Sequence, residues 1–232
     1  MTVNVGRNSY ENNPSDGQDG IVILGAGNLG QQMIGLVEDI ERENSGSRLI
    51  GFLDPGVMEP EVWGKPVLGD DSLLPSLTSD YALGVGLPSL RRKLDVLAQE
   101  AGRSPAPLVH PCARIGKNAS VGEGVVLFEA AHVLAGVTLG RQVTMFITSF
   151  VGHHAQVGDY VIISGNAAVG ARAKIGDEVM LGIGSMILGD VIVGDRAVVG
   201  AGAVVTKNVR PDTCVVGVPA REVEVRRGRI IA

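Results

Sequence analysis

The sequence predicts an α/β domain followed by an all-β coil of stacked repeats, on three observations. A short apolar run at residues 21–24 leads into glycines spaced G-x-G-x-x-G and then into a helical pattern. From Val109 to Val205, every sixth residue is aliphatic or Met, without an insertion. Aromatic residues make up only 3% of the chain, which holds 33 glycines. Small residues and frequent glycines suit a chain that turns tightly at regular intervals.

The α/β domain is predicted to span residues 20–104. Met33, Val37 and Ile40 recur with a helical period, and the apolar segment LIGFLD after them is a predicted strand. The segments KPVLGD and YALGVGLP are further predicted strands. The segment LRRKLDVLAQEAG is a predicted second helix that ends at Gly102.

The coil is predicted to span residues 108–220. One hexad cannot bury its aliphatic side chain alone, so successive turns of the coil must stack. If three hexads make one triangular turn, inward positions align every 18 residues and form continuous ladders. Two predicted ladders are Val133, Val151, Val169, Ile187 and Met145, Ile163, Leu181, Val199. The fifth residue of each hexad, from Ala113 to Val209, is Ala, Ser or Val, as expected where the chain turns.

The two ends of the chain have their own predictions. Residues 1–19 are polar and rich in turn formers, and we expect a flexible tail. Residues 221–232 form a separate C-terminal segment with a short strand or helix. Stacked repeats need covered ends, so we expect the α/β domain to cover one end of the coil and the C-terminal segment the other.

Composition excludes several classes of partner. The net charge is −5, and no basic block appears apart from VRRGRIIA, which argues against a nucleic-acid partner. No apolar run approaches the roughly 20 residues of a membrane span, and the N-terminus lacks a signal pattern. The two cysteines have no partner motif, which fits a reducing compartment. We therefore expect a cytoplasmic protein.

The hexads resemble those of the hexapeptide-repeat proteins, whose fold is a left-handed parallel β-helix. Across residues 21–221, the chain is similar to bacterial sugar acetyltransferases that join a small Rossmann-like domain to such a helix. The stretches that carry this resemblance are ILGAGNLG, GFLD, GKPVLGD, LVHPCARIG, VGHHAQVGDYVIIS, GDEVMLGIGSMIL, VGAGAVVTKNV and VVGVPAR. The family includes nucleotide-aminosugar N-acetyltransferases and sialic acid O-acetyltransferases. The resemblance implies a homotrimer, acetyl-CoA as co-substrate, and a small-molecule sugar substrate bound between subunits.

The resemblance places the general base at His153. A neutral imidazole can accept the proton that an attacking amine or hydroxyl loses, and an unperturbed imidazole pKa of about 6.5 suits neutral pH. The family usually has Asp or Glu at the next position, where this chain has His154. The stacking rule places Arg172 beside His154. Neither side chain offers the negative charge of the usual acid. Either the base is weaker here, or an acid approaches, from Glu129 or from the adjacent subunit.

Two further departures concern the acceptor. Phe146 stands where family members often have Asn, and Asn28 and Leu29 stand where relatives have Gly-His near the nucleotide sugar. The resemblance thus implies substrate contacts at Gly27, Asn28, Leu29 and Phe146, with an altered acceptor pocket.

The glycine loop is typical of phosphate binding at a helix N-terminus. Asp54 ends the next strand, where it could bind a ribose hydroxyl. The domain is too small for both halves of NAD, so a mononucleotide or nucleotide sugar fits better. The glycines could also serve only to pack the helix on the strand.

The resemblance places the pantetheine arm of the co-substrate along small residues of the later coils. These positions are Gly182, Ile183, Gly184, Ala201 and Gly202. The amide of Ala171, one coil beyond His153, is the expected oxyanion donor, and Lys207 and Arg221 the expected phosphate contacts. Coil geometry alone would also select small residues at most of these positions.

The leading interpretation is an acetyl-CoA-dependent acetyltransferase acting on an amino or hydroxyl group of a sugar, which we expect to be nucleotide-linked. A zinc carbonic anhydrase on this fold would need three converging histidines. The spacing of His110, His132, His153 and His154 does not stack them in one column, so we expect no metal. A non-catalytic nucleotide-binding or scaffolding homologue remains the alternative. An NAD oxidoreductase is disfavoured because no second catalytic domain is left once the coil is assigned.

Overall fold

The computed structural model describes residues 20–43, 48–226 and 229–230. The predicted tail at residues 1–19 lies outside the described residues, as does part of the C-terminal segment. The chain forms an α/β unit followed by a long three-sided coil. Among the described residues, no helix is long and apolar enough to cross a membrane.

The α/β unit is a five-stranded sheet between two helices. Its strands are β1 (Ile21–Leu24), β2 (Leu49–Leu53), β3 (Glu61–Val62), β4 (Lys65–Gly69) and β5 (Asp80–Leu83), in the order β3-β4-β2-β1-β5. All neighbours pair in parallel except β3 and β4. The helices are α1 (Asn28–Glu43) and α2 (Pro88–Glu100), and a 3₁₀ helix spans Asp71–Ser76. Every strand and helix predicted in this region is present.

The two sides of the sheet bury separate apolar clusters. Ile21 and Ile23 of β1 pack with α1, whereas the alternate residues Val22 and Leu24 pack with the α2 side. Because side chains alternate across a strand, a strand covered on both faces is apolar throughout. This explains the continuous apolar run at β1. Helix α2 begins with a proline in its first turn, and Gly102 follows it at a φ of 73°.

The coil consists of short parallel strands that stack in three faces. The first face contains β6 (Leu108–Val109), β9 (Val126–Leu127), β12 (Thr144–Met145), β15 (Ile162–Ile163), β18 (Met180–Leu181), β21 (Val198–Val199) and β23 (Cys214–Val216). The second face contains β7 (Arg114–Ile115), β10 (His132–Val133), β13 (Phe150–Val151), β16 (Ala168–Val169), β19 (Met186–Ile187) and β22 (Val204–Val205). The third face contains β8 (Ser120–Val121), β11 (Thr138–Leu139), β14 (Gln156–Val157), β17 (Lys174–Ile175) and β20 (Ile192–Val193).

The register of the coil matches the predicted ladders. Val133, Val151, Val169 and Ile187 pair in succession along the second face. Met145, Ile163, Leu181 and Val199 do so along the first. Their side chains form one continuous buried core inside the coil, together with the small fifth-position residues.

The last turn of the coil departs from the hexad pattern. Val209 was expected as a fifth-position residue, but it bridges to Val193 of the third face. Arg196 then pairs with Asp212 across 16 residues, where earlier coils stack every 18. The final coil is therefore two residues shorter than the earlier ones. The sequence does not reveal this change, because Val209 is small like the other fifth-position residues.

The C-terminal segment continues the first face. Strand β24 (Arg221–Val223) pairs antiparallel with β23, and a hairpin of β25 (Val225–Arg226) and β26 (Arg229–Ile230) follows. The strand alternative predicted for this segment is thus the one adopted in its described part.

The α/β unit lies along the side of the coil, and the expectation that it covers an end is wrong. Outward residues of the first face are buried over four successive coils: Leu108, Val126, Thr144 and Ile162. Leu108 and Val126 share the apolar cluster of α1. The inward residues of the first coil, such as Ile115 and Val121, remain only partly buried.

A buried polar network joins α2 to the coil. The Asp95 carboxylate is fully buried and accepts hydrogen bonds from Tyr81 (2.5 Å), Tyr160 (2.7 Å), Gln142 (2.6 Å) and Arg141 (2.7 Å). Burial opposes ionisation of this carboxyl, but the hydrogen bonds outweigh it and hold its pKa below the usual value.

The pKa of Tyr160 is raised to about 12, first because the phenol is buried and then because it lies against the hydrogen-bonded, charged Asp95 carboxylate. Arg91 is also fully buried and donates to the carbonyls of Leu83, Val85 and Gln142. Burial lowers the pKa of Arg91 to about 10. These contacts fix the α/β unit on the coil through charged and hydrogen-bonded groups as well as apolar ones.

Candidate active site

The two adjacent histidines lie at the corner between the second and third faces. His153 and His154 form the turn between β13 and β14, and both side chains are exposed. Their Nδ1 atoms are 3.1 Å apart, and the two rings are nearly perpendicular, at 84°. His154 has a left-handed φ of 60°, and its amide donates to the carbonyl of Ala135 in the preceding coil. The histidines therefore contact each other directly.

The next coil places a neutralised ion pair beside this corner. Arg172 donates its amide hydrogen to the carbonyl of His153 (3.0 Å). Its guanidinium makes two hydrogen bonds of 2.7 Å to Asp190, and the bond from Arg172 lowers the pKa of the Asp190 carboxyl. The Arg172 charge predicted beside His154 is present, but it is engaged by a carboxylate one coil further on.

Among the described residues, no acid forms a hydrogen bond with His153. Glu129 lies in the turn between β9 and β10, at the corner between the first and second faces, so it does not supply the acid considered for that role. Within residues 48–226, the only hydrogen bond between His153 and another side chain is the one with His154. Any carboxylate that hydrogen-bonds His153 must therefore come from outside the described residues.

The glycine loop between β1 and α1 uses two of its three glycines for packing. A Cβ on Gly30 would lie 2.1 Å from the carbonyl oxygen of Gly25, and Gly25 itself has a φ of 104°. Gly27 is exposed, and a Cβ there would meet nothing within 4 Å. Helix-on-strand packing accounts for Gly25 and Gly30, but not for Gly27.

Asp54 and Leu29 serve the structure of this loop. The Asp54 carboxylate accepts from the amides of Ala26 (2.8 Å) and Gly56 (2.8 Å), which ties the end of β2 to the loop. Leu29 is buried in the apolar cluster of α1 and presents no group to a ligand. Of the positions predicted around the nucleotide, Gly27 and Asn28 are the exposed ones.

Phe146 forms one wall of a cavity between α1 and the corner of the first and second faces. Its ring stacks on Phe128, with centroids 5.1 Å apart and planes within 4°. The cavity has a volume of about 370 Å³ and is lined by Gln32, Phe146, Ile147, Ser164, Gly165, Asn166 and Ile183. Phe146 and Ile183, two predicted site residues, are thus brought together.

The polar lining of this cavity was not predicted from the sequence. Gln32, Ser164 and Asn166 supply its polar groups. The 18-residue stacking rule could have found part of this set, because Asn166 lies one coil beyond Thr148 and accepts its hydroxyl hydrogen bond at 2.6 Å. Gln32 gives no such signal, since it joins the cavity only through the packing of α1 on the coil.

The positions predicted for the pantetheine arm share the corner of this cavity. A Cβ on Gly182 would lie 2.6 Å from the amide nitrogen of Ala201, so coil stacking requires that glycine. Gly184 and Gly202 have φ values of 66° and 65°, with open space where a side chain would be. Ile183 projects between them with 65% of its surface exposed.

Ala171 and the histidines lie at a different corner from Ile183. In one chain, the width of the second face separates the two groups, because β13 and β16 run from one corner to the other. The two groups of predicted site residues therefore lie on either side of a single face.

A second cavity and the arrangement of potential metal ligands are the other features of the described residues. A second cavity of about 410 Å³ lies at the C-terminal end of the coil, with Lys207, Arg210 and Arg221 in its lining. Arg210 pairs with Glu222 at 2.8 Å. Among the described residues, no group of three His, Cys, Asp or Glu side chains could hold a metal ion.

Known proteins share both the repeat and the whole architecture. The family described as "Bacterial transferase hexapeptide (six repeats)" matches residues 172–207. No curated protein sequence shows significant similarity to the chain. Solved structures match along nearly their full length.

The acetyltransferase domain of PglB from Neisseria gonorrhoeae, solved with acetyl coenzyme A, is 29% identical, with a TM-score of 0.82 over 89% of this chain and 100% of that one. A mutant of the perosamine N-acetyltransferase from Caulobacter crescentus, solved with CoA and GDP-perosamine, is 26% identical, with a TM-score of 0.81 over 89% and 97%. WeeI from Acinetobacter baumannii is 27% identical, with a TM-score of 0.81 over 88% and 99%.

These matches cover the α/β unit and the coil together, in one arrangement. They confirm the predicted fold class, an N-terminal Rossmann-like α/β domain followed by a left-handed parallel β-helix. The chain is thus similar, along nearly its whole described length, to sugar acetyltransferases that combine the hexapeptide repeat with this N-terminal domain.

Proposed function

We propose that the protein transfers an acetyl group from acetyl-CoA to an amino group of a nucleotide-linked sugar, with His153 as the general base. The observation that carries this proposal is the exposed His153 imidazole, held by one neighbour at Nδ1, on a chain that matches sugar acetyltransferases along their length. A sugar hydroxyl is the second possible acceptor, since the same base would serve it. Acetyl-CoA and nucleotide sugars are intracellular metabolites, so the proposed reaction is cytoplasmic.

The proposed chemistry uses few groups of this chain. His153 accepts the proton that the acceptor nitrogen loses as it attacks the thioester carbonyl. The amide of Ala171, one coil beyond, donates to the oxygen on which negative charge develops. His153 then returns its proton to the departing sulfur, which leaves the imidazole neutral for the next cycle.

The co-substrate is proposed to lie along the corner that contains Gly182, Ile183, Gly184, Ala201 and Gly202. Open space at Gly184 and Gly202 lets an extended arm approach the backbone closely. The 65% exposed side chain of Ile183 offers an apolar contact for that arm. Lys207 and Arg221, in the lining of the C-terminal cavity, offer positive charge to its phosphates.

The acceptor is proposed to span the glycine loop and the cavity of Phe146. Exposed Gly27 and Asn28 at the start of α1 would face the nucleotide phosphates. The cavity of about 370 Å³ would take the sugar, with Phe146 and Ile147 as apolar walls and Asn166 as a hydrogen-bonding group. Asp54 would support the acceptor site indirectly, because its carboxylate fixes the glycine loop through the amide of Ala26.

We propose a homotrimer in which each active site is shared by two copies. The two half-sites of one chain are separated by its second face, so His153 of one copy must meet the Ile183 corner of the next. The second face carries exposed apolar side chains, with Phe150 at 39% and Met186 at 47% exposure. Burial of such a surface against another copy would be favourable.

A non-catalytic nucleotide-binding homologue is the second candidate. It is favoured by the positions where the site has become apolar: Leu29 is buried, and Phe146 stacks on Phe128. Such a protein would bind a nucleotide sugar without releasing thiol from acetyl-CoA.

A substrate screen tests the proposal against this candidate. Nucleotide-linked amino and hydroxy sugars would each be incubated with acetyl-CoA, with free thiol and acetylated product measured. The proposal predicts product with an amino sugar and stoichiometric thiol. Binding of nucleotide sugars without thiol release across the panel would contradict it and favour the non-catalytic reading.

A further inference from the structure

The contact between the two histidines allows only two arrangements of protons. Their Nδ1 atoms lie 3.1 Å apart, so one must donate and the other accept. A neutral imidazole has one protonated and one bare nitrogen. If His153 donates from Nδ1, its Nε2 is bare. If His153 accepts at Nδ1, its Nε2 carries the proton.

Only the first arrangement leaves His153 able to act as a base toward a substrate. Its Nδ1 is occupied by His154, so Nε2 is the nitrogen left for the acceptor. We propose that His154 is a positioning residue: its neutral imidazole accepts the Nδ1–H of His153 and so keeps His153 Nε2 unprotonated. This inference rests on the proposed function, because the general-base role selects between the two arrangements.

The preceding coil fixes the ring of His154 in this position. A Cβ on Gly136 would lie 2.8 Å from His154 Cδ2 and 3.1 Å from its Nε2, so the ring lies directly over that glycine. The amide of His154 is held by Ala135. The backbone of Ala135 and the absence of a side chain at Gly136, both in the preceding coil, thus place Nδ1 of His154 against His153.

A second imidazole differs from a carboxylate in one respect that can be measured. A carboxylate accepts a hydrogen bond at any pH above about 5, whereas His154 loses its acceptor when it is protonated. Once protonated, His154 can only donate at Nδ1, which forces the His153 proton onto Nε2. The pair therefore needs both imidazoles neutral to present a base.

Other charged groups at this corner do not titrate with the pair. Arg172 and Asp190 face it from the following coils, and Lys117 lies in a coil before it. The hydrogen bond between Arg172 and Asp190 raises the pKa of the arginine and lowers that of the carboxyl. The charges of Arg172 and Asp190 are therefore constant between pH 5 and about 9.

Three variants separate this role from a structural one. His154→Phe keeps a ring over Gly136 but removes the acceptor, and kcat/KM is expected to fall at least about tenfold with the KM for acetyl-CoA unchanged. His154→Glu restores an acceptor and should recover most of the activity. Gly136→Ala displaces the ring of His154 and should resemble His154→Phe. Gly64→Ala is the backbone control, because Gly64 has a similar φ of 73° and open space around it.

The pH dependence of kcat/KM distinguishes the two roles, because a role of His154 in packing alone would not change it. In the parent protein, log kcat/KM should rise through the acid range with a slope of about two, because two coupled imidazoles must lose protons. In His154→Glu the slope should be about one. Equal slopes in the two proteins, or parental kcat/KM in His154→Phe, would overturn the inference.

A measurement without substrate separates this inference from the proposed function. Long-range ¹⁵N–¹H NMR at pH 8 on histidine-labelled protein reports which nitrogen of His153 carries its proton. The inference predicts Nδ1–H in the parent and in His154→Glu, and mostly Nε2–H in His154→Phe. A protonated Nε2 in the parent would refute the inference even if acetyl transfer is found. Nδ1–H without any acetyl transfer would leave the positioning contact intact and refute the function.

Discussion

At the scale of single residues, the proposed function depends on His153, an exposed side chain with one hydrogen-bonding neighbour. The His153 side chain is exposed, and among the described residues its only side-chain hydrogen bond is the 3.1 Å contact with His154. The position of His153 could be predicted, because the hexad register and the family resemblance both identify that turn. The direct contact between the rings could not be predicted, since it depends on the left-handed backbone of His154 and on the space above Gly136.

Replacement of His153 tests its proposed role directly. His153→Asn removes the proton acceptor from an exposed turn, so kcat should fall by about two orders of magnitude while folding is unaffected. Steady-state kinetics with acetyl-CoA and the acceptor found by the screen would measure this. Gln156→Ala, an exposed change three residues further along, should keep parental kcat. A parental kcat in His153→Asn would exclude the imidazole as the base.

At the scale of elements, glycine has several distinct uses that the sequence pattern does not separate. Gly30 in α1 allows the helix to approach the carbonyl of Gly25, and Gly182 allows successive coils to stack. Gly184 owes its identity to a positive φ, whereas Gly35 in α1 meets nothing. The spacing of glycines was enough to predict the loop and the coil, because close approach and turning recur with the fold. Which glycine has which use required the neighbouring backbone.

Two alanine variants in α1 should change stability in opposite directions. Gly35→Ala replaces an exposed helical glycine with nothing in its way, and should raise the free energy of unfolding by about 1 kcal/mol. Gly30→Ala would place a Cβ 2.1 Å from the carbonyl oxygen of Gly25, which cannot move without shifting β1, and should destabilise the protein. Chemical denaturation of both variants measures the difference. A Gly30→Ala protein as stable as Gly35→Ala would show that α1 does not pack closely on β1.

At the scale of the whole molecule, the α/β unit and the coil are held by a buried charge. Asp95 receives hydrogen bonds from residues on both sides of the contact, among them Tyr81 in the sheet and Tyr160 in the coil. The sequence predicted both parts and the inward ladders, because each follows from a local period. The side-by-side packing was not predicted, because it depends on outward residues of the first face such as Thr144, whereas the prediction used only the inward positions.

Stability should depend on the charge of Asp95. Its pKa is lowered in the folded protein, so its contribution is fully present above about pH 4 and is lost as the pH falls through the lower folded value. Asp95→Asn leaves Arg141 without its buried partner and should cost about 3 kcal/mol at neutral pH. The variant should also lose less stability than the parent between neutral pH and pH 3. The exposed pair of Asp212 with Arg196 provides the control, because Asp212→Asn should have little effect on either measurement.

Mixed oligomers test the central claim, a shared acetyltransferase site with His153 on one copy and the Ile183 corner on the next. His153→Asn and Ile183→Asp should each be inactive alone, the first for lack of a base and the second because a carboxylate repels an anionic co-substrate. When the two variants are co-expressed, about one quarter of the shared sites in a closed ring regain both intact halves. We expect thiol release at about that fraction of the parental rate. An oligomer that contains both variants and shows no activity above either alone would contradict it.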